Sequence, residues 1–571
     1  IGHQPSYRFA SKNDGTTQTG SQVARRLFPT NPTSGFADAK AKWKPESIIS
    51  GDSGFLLHTN NILYGFGENE GGQFNQGNQI DASSLVTIAQ DVVWFRCTAS
   101  AGSNGYEQNC LIYKTTDGHI RYSGPDRQGQ AGLGTTATVR TTSVVLTAGH
   151  PDSAIAFTKA ATVPAFYDFQ SNILTITAAG NSGLNSNAGI LVGQKVSGTN
   201  IPANTTVVSL IGTNQIQISN APTGGAPATN VTLSFYGWLN VGDLEDCWIS
   251  SSYDSFHILW QFNNGRKFFT GANQGAFGNG ATTTSAIPIE VTQFWGRIGA
   301  EPINDGLNWR IKQVIHASGY SDGTTAAIHN WCGMLLENII TGEQRHQRSG
   351  QNTWGMIGNN TTTQVLSPFL VASTILTDAP AIPVQGRIRQ IATQGAAIAS
   401  VFVVFENGTV WENGRNDVNQ LGDGTVTQRN TPFQLRELDG VTFVTDAREV
   451  LSNNFNASQH QWDSPAFIKR VSGKTSAQGY NLYANAGIGG LANIVRPAFL
   501  PYDEHRYGAI MQIAQCGLER TRKIYFAVTE SGKVLIWGRN YEDQVFEQLG
   551  RGFYDQYIGR PIEFTSFDNL G

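Results

Sequence analysis

A glycine-centred pattern recurs along this chain, and repetition of that kind limits the possible folds more than any single residue does. Its clearest copy runs Glu406-Asn407-Gly408-Thr409-Val410-Trp411, then Gly414-Arg415-Asn416, then Gln420-Leu421-Gly422-Asp423-Gly424. The last copy repeats it, with a few extra residues in the second turn: Ser531-Gly532-Lys533-Val534-Leu535-Ile536-Trp537, Gly538-Arg539-Asn540 and Gln548-Leu549-Gly550-Arg551-Gly552. Further copies run from Asn60-Asn61 to Gly67-Glu68-Asn69, from Asp117-Gly118 to Gly124-Pro125-Asp126, and from Asn264-Gly265 to Gly271-Ala272-Asn273. Two looser ones complete seven: Thr341-Gly342 with Gly350-Gln351-Asn352, and Gln478-Gly479 with Asn485-Ala486-Gly487, where Asn485 stands in the place expected of glycine.

In five of the seven copies the hairpin residue (Asn61, Gly118, Gly265, Gly408, Gly532) precedes the later glycine by six residues, the length of one short strand. Asn-Gly, Asp-Gly and Asn-Asn are the residues of a tight hairpin, because its central positions need positive φ. Upstream of each hairpin lies a short run rich in aromatic and β-branched residues, such as Val401-Phe402-Val403-Val404-Phe405 and Ile524-Tyr525-Phe526-Ala527-Val528. Such runs are too short for helices and read as strands buried on both faces. Each repeat is therefore expected to be a small antiparallel sheet.

The run from Asn407 to Gly424 resembles the repeat of the regulator-of-chromosome-condensation propellers, which close with seven blades. The resemblance implies an all-β, seven-bladed β-propeller, with blades 1 and 2 in 45–150 and blades 3 to 7 in 238–571. Its turn positions are Gly67, Asn69, Gly118, Gly124, Gly265, Gly271, Asn273, Gly350, Asn352, Gly408, Gly414, Asn416, Gly532, Gly538 and Asn540. Propellers hide their sheet edges by radial repetition and leave the connecting loops free to bind.

Two segments fall outside the repeat. Residues 151–237 alternate as strands do, for example Gln215-Ile216-Gln217-Ile218-Ser219, and read as an inserted small β-module. The stretch from Gly189 to Val207 resembles a module of bacteriophage tail and other virion proteins, which also occurs in some bacterial surface proteins. Residues 1–44, rich in Gly, Thr, Ser and Asn, read as an extended N-terminal arm that would pack on a neighbour in an assembly.

Only 14% of the residues are charged, and the net charge is −4. That leaves no basic footprint for nucleic acid. No apolar run is long enough to span a membrane, and the chain from Ile1 onward shows no charged n-region and h-region of a signal peptide. Cys97, Cys110, Cys247, Cys332 and Cys516 lack metal or redox spacing and read as buried thiols. Ser472-Gly473-Lys474-Thr475 imitates the end of a phosphate-binding loop, but Ile468 stands where its first glycine belongs, so it reads as a polar turn. His316, His329 and His346 have no ligand spacing and read as solvated or core histidines. Asp243, Glu245 and Asp246 read as a solvated loop before a strand rather than paired catalytic carboxylates.

No catalytic residue, cofactor or metal site is expected, and the chain is not read as an enzyme. The expectation is a bacteriophage virion structural protein on the particle surface, in a tail fibre or attachment apparatus. It would bind a host surface glycan or protein, or a neighbouring virion subunit, as a homo-oligomer or part of a larger assembly. The alternatives are a soluble regulatory propeller of the exchange-factor or inhibitor type, since the family's namesake acts on a small GTPase, and a capsid decoration protein. Fold alone does not choose among them.

Overall fold

The computed structural model describes residues 48–563, apart from 51–52, 98–109, 134–135, 147–154, 164–171, 178–189, 224–227, 237–243, 251–255, 299–302, 318–329, 395–399, 452–464, 517–523, 541–555 and a few single positions. The expected arm 1–44 and the motif from Gln548 to Gly552 lie outside the described residues. Among those described, seven four-stranded antiparallel sheets each take four strands consecutive in sequence, and one six-stranded sheet stands apart from them. This is a β-propeller arrangement.

The first strands of sheets 1 to 7 are Ile48–Ser50, Val92–Cys97, Leu244–Ile249, Trp309–Ala317, Ile388–Gln394, Ala447–Leu451 and Ile510–Cys516. Second strands are the continuous apolar runs of the sequence. His257–Phe262, Ser400–Phe405 and Pro465–Arg470 are buried at every residue, as a strand covered on both faces must be. Fourth strands such as Ala137–Val145 are half exposed and form the rim. The hairpin between second and third strands turns at Gly118, Gly265, Gly408 and Gly532, with φ of 85°, 86°, 82° and 77°. At Gly408 a Cβ would collide with the Thr445 carbonyl, so glycine is needed for space as well as for φ.

An Asx residue organises the long turn after the third strand of sheets 1 to 6. The Oδ1 of Asn69, Asn352, Asn416 and Asn481 accepts the amide five residues on (Phe74, Ile357, Leu421 and Ala486) at 2.8–2.9 Å. Asn273 accepts from Phe277 at 3.0 Å, one residue closer. The side-chain Nδ2 donates to carbonyls farther round the turn, as Asn352 does to Thr361 at 2.8 Å. One buried side chain thus closes a loop of about ten residues. Sheet 2 places Asp126 in this position, where Oδ1 accepts from Ala131 at 2.9 Å and Oδ2 takes Arg140 as counter-ion.

The sixth repeat differs from its expected alignment. Its hairpin glycine is Gly473 (φ 90°), its later glycine is Gly479 (φ 94°), and the organising Asx is Asn481, whereas Asn485 lies within the turn. Ser472-Gly473-Lys474 is therefore the hairpin itself, with the Gly473 amide donating to Arg470 O at 3.1 Å. The six-residue spacing holds here too.

Successive sheets are stapled by one recurrent contact. The residue before each later glycine reaches into the turn of the preceding sheet: Ser123 to Gln73 O (3.0 Å), Thr270 to Gln130 O (2.6 Å), Ser349 to Gly275 O (2.7 Å), Asn413 to Gly355 O (2.7 Å), Gln478 to Gln420 O (2.9 Å) and Trp537 to Asn485 O (2.9 Å). Six links join seven sheets in chain order.

The six-stranded sheet, drawn from Ile155–Val163 through Ala228–Tyr236, has its own core of Leu174, Ile176, Val196, Ile216, Ile218, Leu233 and Phe235. Its two outermost strands, Lys195–Gly198 and Val207–Ile211, meet where Val196 N donates to Thr205 O and Val207 N to Gln194 O, both at 2.9 Å. The sheet thus curls into a small barrel whose end strands are joined at a single bridge, Lys195 to Thr206.

Candidate functional site

The first strands of sheets 2 to 7 share a β-bulge at one register, and the extra residues are Val93, Glu245, Lys312, Arg389, Arg448 and Met511. All six are exposed. A bulge re-aims the next side chain, and here it sends glutamines across to the neighbouring first strand. Gln313 Oε1 accepts from Ile391 N at 2.7 Å, and Gln390 accepts from Val450 N at 2.7 Å while donating to Val450 O at 3.0 Å. These amides satisfy backbone groups that would otherwise lie unpaired along the inner strands. The strands surround a cavity of about 560 Å³ lined by Trp248, Lys312, Gln313, Gln390, Glu449 and Gln512 among others, drawn from sheets 3 to 7.

First strands begin, and hairpins turn, at the same end of every sheet. Eight exposed apolar residues sit in turns at that end: Leu307, Ile339, Ile340, Leu376, Leu438, Val441, Phe443 and Val471. Seven belong to sheets 4 to 6 or the connections between them, and Leu307 lies in the connection that leads from sheet 3 into sheet 4. Backbone bonds tie these turns together, with Ile339 N donating to Asn308 O, Ala447 N to Gly408 O and Val471 N to Asp446 O. Arg387 joins two more, donating to Gly342 O at 2.9 Å and to Glu337 at 2.7 Å.

The acidic cluster picked out by sequence is placed differently from the expectation. Asp243 lies outside the described residues, while Glu245 and Asp246 belong to the first strand of sheet 3 rather than to a loop. Each carboxylate is committed to an arginine, Asp246 to Arg96 at 3.0 Å and Glu245 to Arg310 at 3.8 Å. They brace neighbouring sheets. The side chains of His316, His329 and Cys516 lie outside the described residues. Cys110, Cys247 and Cys332 are buried, whereas Cys97 is half-buried, and burial pushes its thiol up to about 12.

Several ionisable groups are buried between sheets, a feature that hydropathy does not reveal. His346 is buried as a neutral imidazole: desolvation, with Arg348 beside it, holds its pKa well below the usual value. Its Nδ1 donates to Met334 O at 3.0 Å and its Nε2 accepts from Arg348 at 2.8 Å. Desolvation also pulls Arg348 down to about 9 and Lys267 down to about 7. Glu412 goes the other way, burial raising its carboxyl well above the usual range, and both its oxygens receive Gln478 Nε2 (2.9 and 3.2 Å). A raised folded-state pKa stabilises the fold at acid pH and loses that contribution as pH rises through it. Glu412→Gln is therefore expected to leave stability unchanged near pH 4 and raise it by about 1–3 kcal/mol at pH 8. Thermal unfolding of both proteins across that range checks the sign.

No family model matches the chain. Among solved structures it is similar to human WBSCR16, at 16% identity over 86% of each chain with a TM-score of 0.41. Prp20p from Saccharomyces cerevisiae, a protein described with binding properties to Gsp1p and histones, is similar at 13% identity over 82% of this chain and 80% of that one, with a TM-score of 0.39. The fucose-specific lectin from Aleuria aurantia follows at 9% identity, 82% and 97% coverage and a TM-score of 0.26.

Proposed function

We propose that the chain is a non-enzymatic protein-docking propeller of the regulator-of-chromosome-condensation type. In this reading the seven sheets close as seven blades, and the barrel at 151–237 is an insertion between the second and third. A protein partner is engaged through the hairpin-turn end of sheets 4 to 6. The eight exposed apolar turn residues carry the proposal, because a contact surface needs desolvatable anchors on a rigid scaffold and these stand on hydrogen-bonded turns. A photo-crosslinking side chain at position 340 or 441, compared with one at 426 or 491 on turns at the opposite end, tests it in extract of the source. Adducts confined to 340 and 441 are expected; equal labelling of the two ends would sink the idea. An exchange factor would in addition accelerate nucleotide release from a small GTPase, and an inhibitor would not.

A second reading, a bacteriophage virion component in a tail fibre, attachment apparatus or capsid decoration, is favoured by one observation. The segment resembling virion modules, 189–207, contributes strands to a small barrel with its own core, which suits a transferable module. Mass spectrometry of purified particles decides it, and absence of the chain there removes this reading without touching the first.

A further inference from the structure

At the bulge position, sheets 4, 5 and 6 supply three cations in succession: Lys312, Arg389 and Arg448. The bulge makes this register the exposed one on the first strands of sheets 2 to 7; Lys312 lines the cavity, and Arg389 and Arg448 each stand one residue before a lining residue, Gln390 and Glu449, toward its hairpin-side mouth. Their neutralisation is incomplete. Glu337 is shared between Arg387 (2.7 Å) and Lys312 (3.6 Å), and Glu406 lies 3.8 Å from Arg387. Arg389 spends one nitrogen on Glu406 O at 3.2 Å, a carbonyl, and among the described residues neither Arg389 nor Arg448 has a carboxylate within 4.0 Å. Arg436 and Arg560 are likewise exposed with no carboxylate within 4.0 Å among the described residues, but neither belongs to the register that Lys312, Arg389 and Arg448 share on three successive first strands. Two guanidiniums without carboxylates in a chain of net charge −4 offer bidentate sites that match carboxylate oxygens.

We infer that this mouth receives an acidic segment of a protein partner, its carboxylates on Arg389 and Arg448 and its apolar side chains on the surrounding turns. This rests on the docking surface proposed above and names the chemistry of its partner. A peptide is favoured over a sulfated glycan because seven of the eight exposed turn residues are aliphatic and only Phe443 is aromatic, whereas sugar rings stack on aromatic faces. Lys312 adds to the field and Glu449, lining the cavity just inside, subtracts from it, which keeps the carboxylates at the mouth.

The test uses the full chain and a fluorescent twenty-residue poly-glutamate peptide in low salt, read by anisotropy. Arg389→Ser/Arg448→Ser is expected to weaken binding at least tenfold. Arg121→Ser/Arg560→Ser removes the same charge from other sites and should leave it within twofold. Ile340→Asp/Val441→Asp, which would abolish the partner contact proposed above, is expected to weaken the peptide less than the arginine pair does. Equal weakening by both arginine pairs overturns the inference as a mere net-charge effect, and so does unchanged affinity in Arg389→Ser/Arg448→Ser. A heparin oligosaccharide binding where poly-glutamate does not would overturn it in favour of a sulfated glycan. Loss of crosslinks at 340 and 441 with the arginine effect intact would instead remove the apolar docking surface alone.

Discussion

Arg140→Ala is expected to destabilise the folded chain by about 3–5 kcal/mol, the cost of stranding a buried carboxylate. Asp126 is fully buried, and Arg140 approaches its Oδ2 through Nε at 2.6 Å and Nη2 at 2.5 Å. Burial raises the Asp126 pKa, and Arg140 is the main influence pulling it back. Without the arginine that pKa rises further. A raised folded-state pKa means stability retained at low pH and lost as pH climbs through it, so the defect should be larger at pH 8 than at pH 5. Restoring the amide used by the other turns, as Arg140→Ala/Asp126→Asn, should recover most of the loss because a neutral side chain needs no counter-ion. Denaturation midpoints of the three proteins at both pH values check the argument. A pH-independent defect with no rescue would show that Arg140 acts through packing alone.

The same turn in sheet 5 is expected to answer the opposite way. Asn416→Ala removes the acceptor for the buried Leu421 amide (2.9 Å) and the donor to Thr425 O (3.0 Å) and Thr427 O (3.1 Å). One stranded amide and two lost bonds come to about 3 kcal/mol. Asn416→Asp, the residue sheet 2 tolerates, should be no better at neutral pH. Asn416 donates to Asp423 Oδ1 at 2.9 Å, and Asp423 already holds Arg429 at 2.7 Å. A second carboxylate there meets like charge, so Asn416→Asp should regain stability as pH falls below about 5. Thermal unfolding of the two variants separates a lost hydrogen bond from introduced repulsion.

Much of the propeller was legible because its turns need particular residues and its second strands need unbroken apolarity. Asn407-Gly408 and the run from Val401 to Phe405 announce a hairpin and a covered strand directly. The sixth repeat was misaligned for a physical reason. Its second strand ends in Lys469-Arg470, yet Arg470 is buried because Glu437 and Asp446 receive its guanidinium at 2.8 and 2.6 Å. Two basic residues break the apolar run expected of a covered second strand, and tertiary ion pairs let Arg470 stay buried in it. The third strand of sheet 4, Gln344–Gly350, is likewise buried throughout while carrying two arginines and a histidine. The face of exposed apolar turns was hidden for another reason. Leu307 and Val471 are 164 residues apart in sequence, and nothing local records that both sit at the start-of-strand end of their sheets. The six bulges are equally silent, since a bulge is a property of pairing and not of one strand's text.

The staples between sheets point one way along the chain. Every donor lies in the later sheet and every acceptor in the earlier, from Ser123 to Gln73 through Trp537 to Asn485. A sheet emerging during synthesis therefore carries a turn whose carbonyl is left waiting until the next sheet arrives. Each turn thus offers an acceptor that only the next sheet along the chain fills. The barrel falls between the second and third units, so the Gln130 carbonyl must wait through the whole of 151–237 before Thr270 reaches it. The module that fills this interval buries its own apolar residues against one another, so the stretch of chain separating donor from acceptor carries a core of its own.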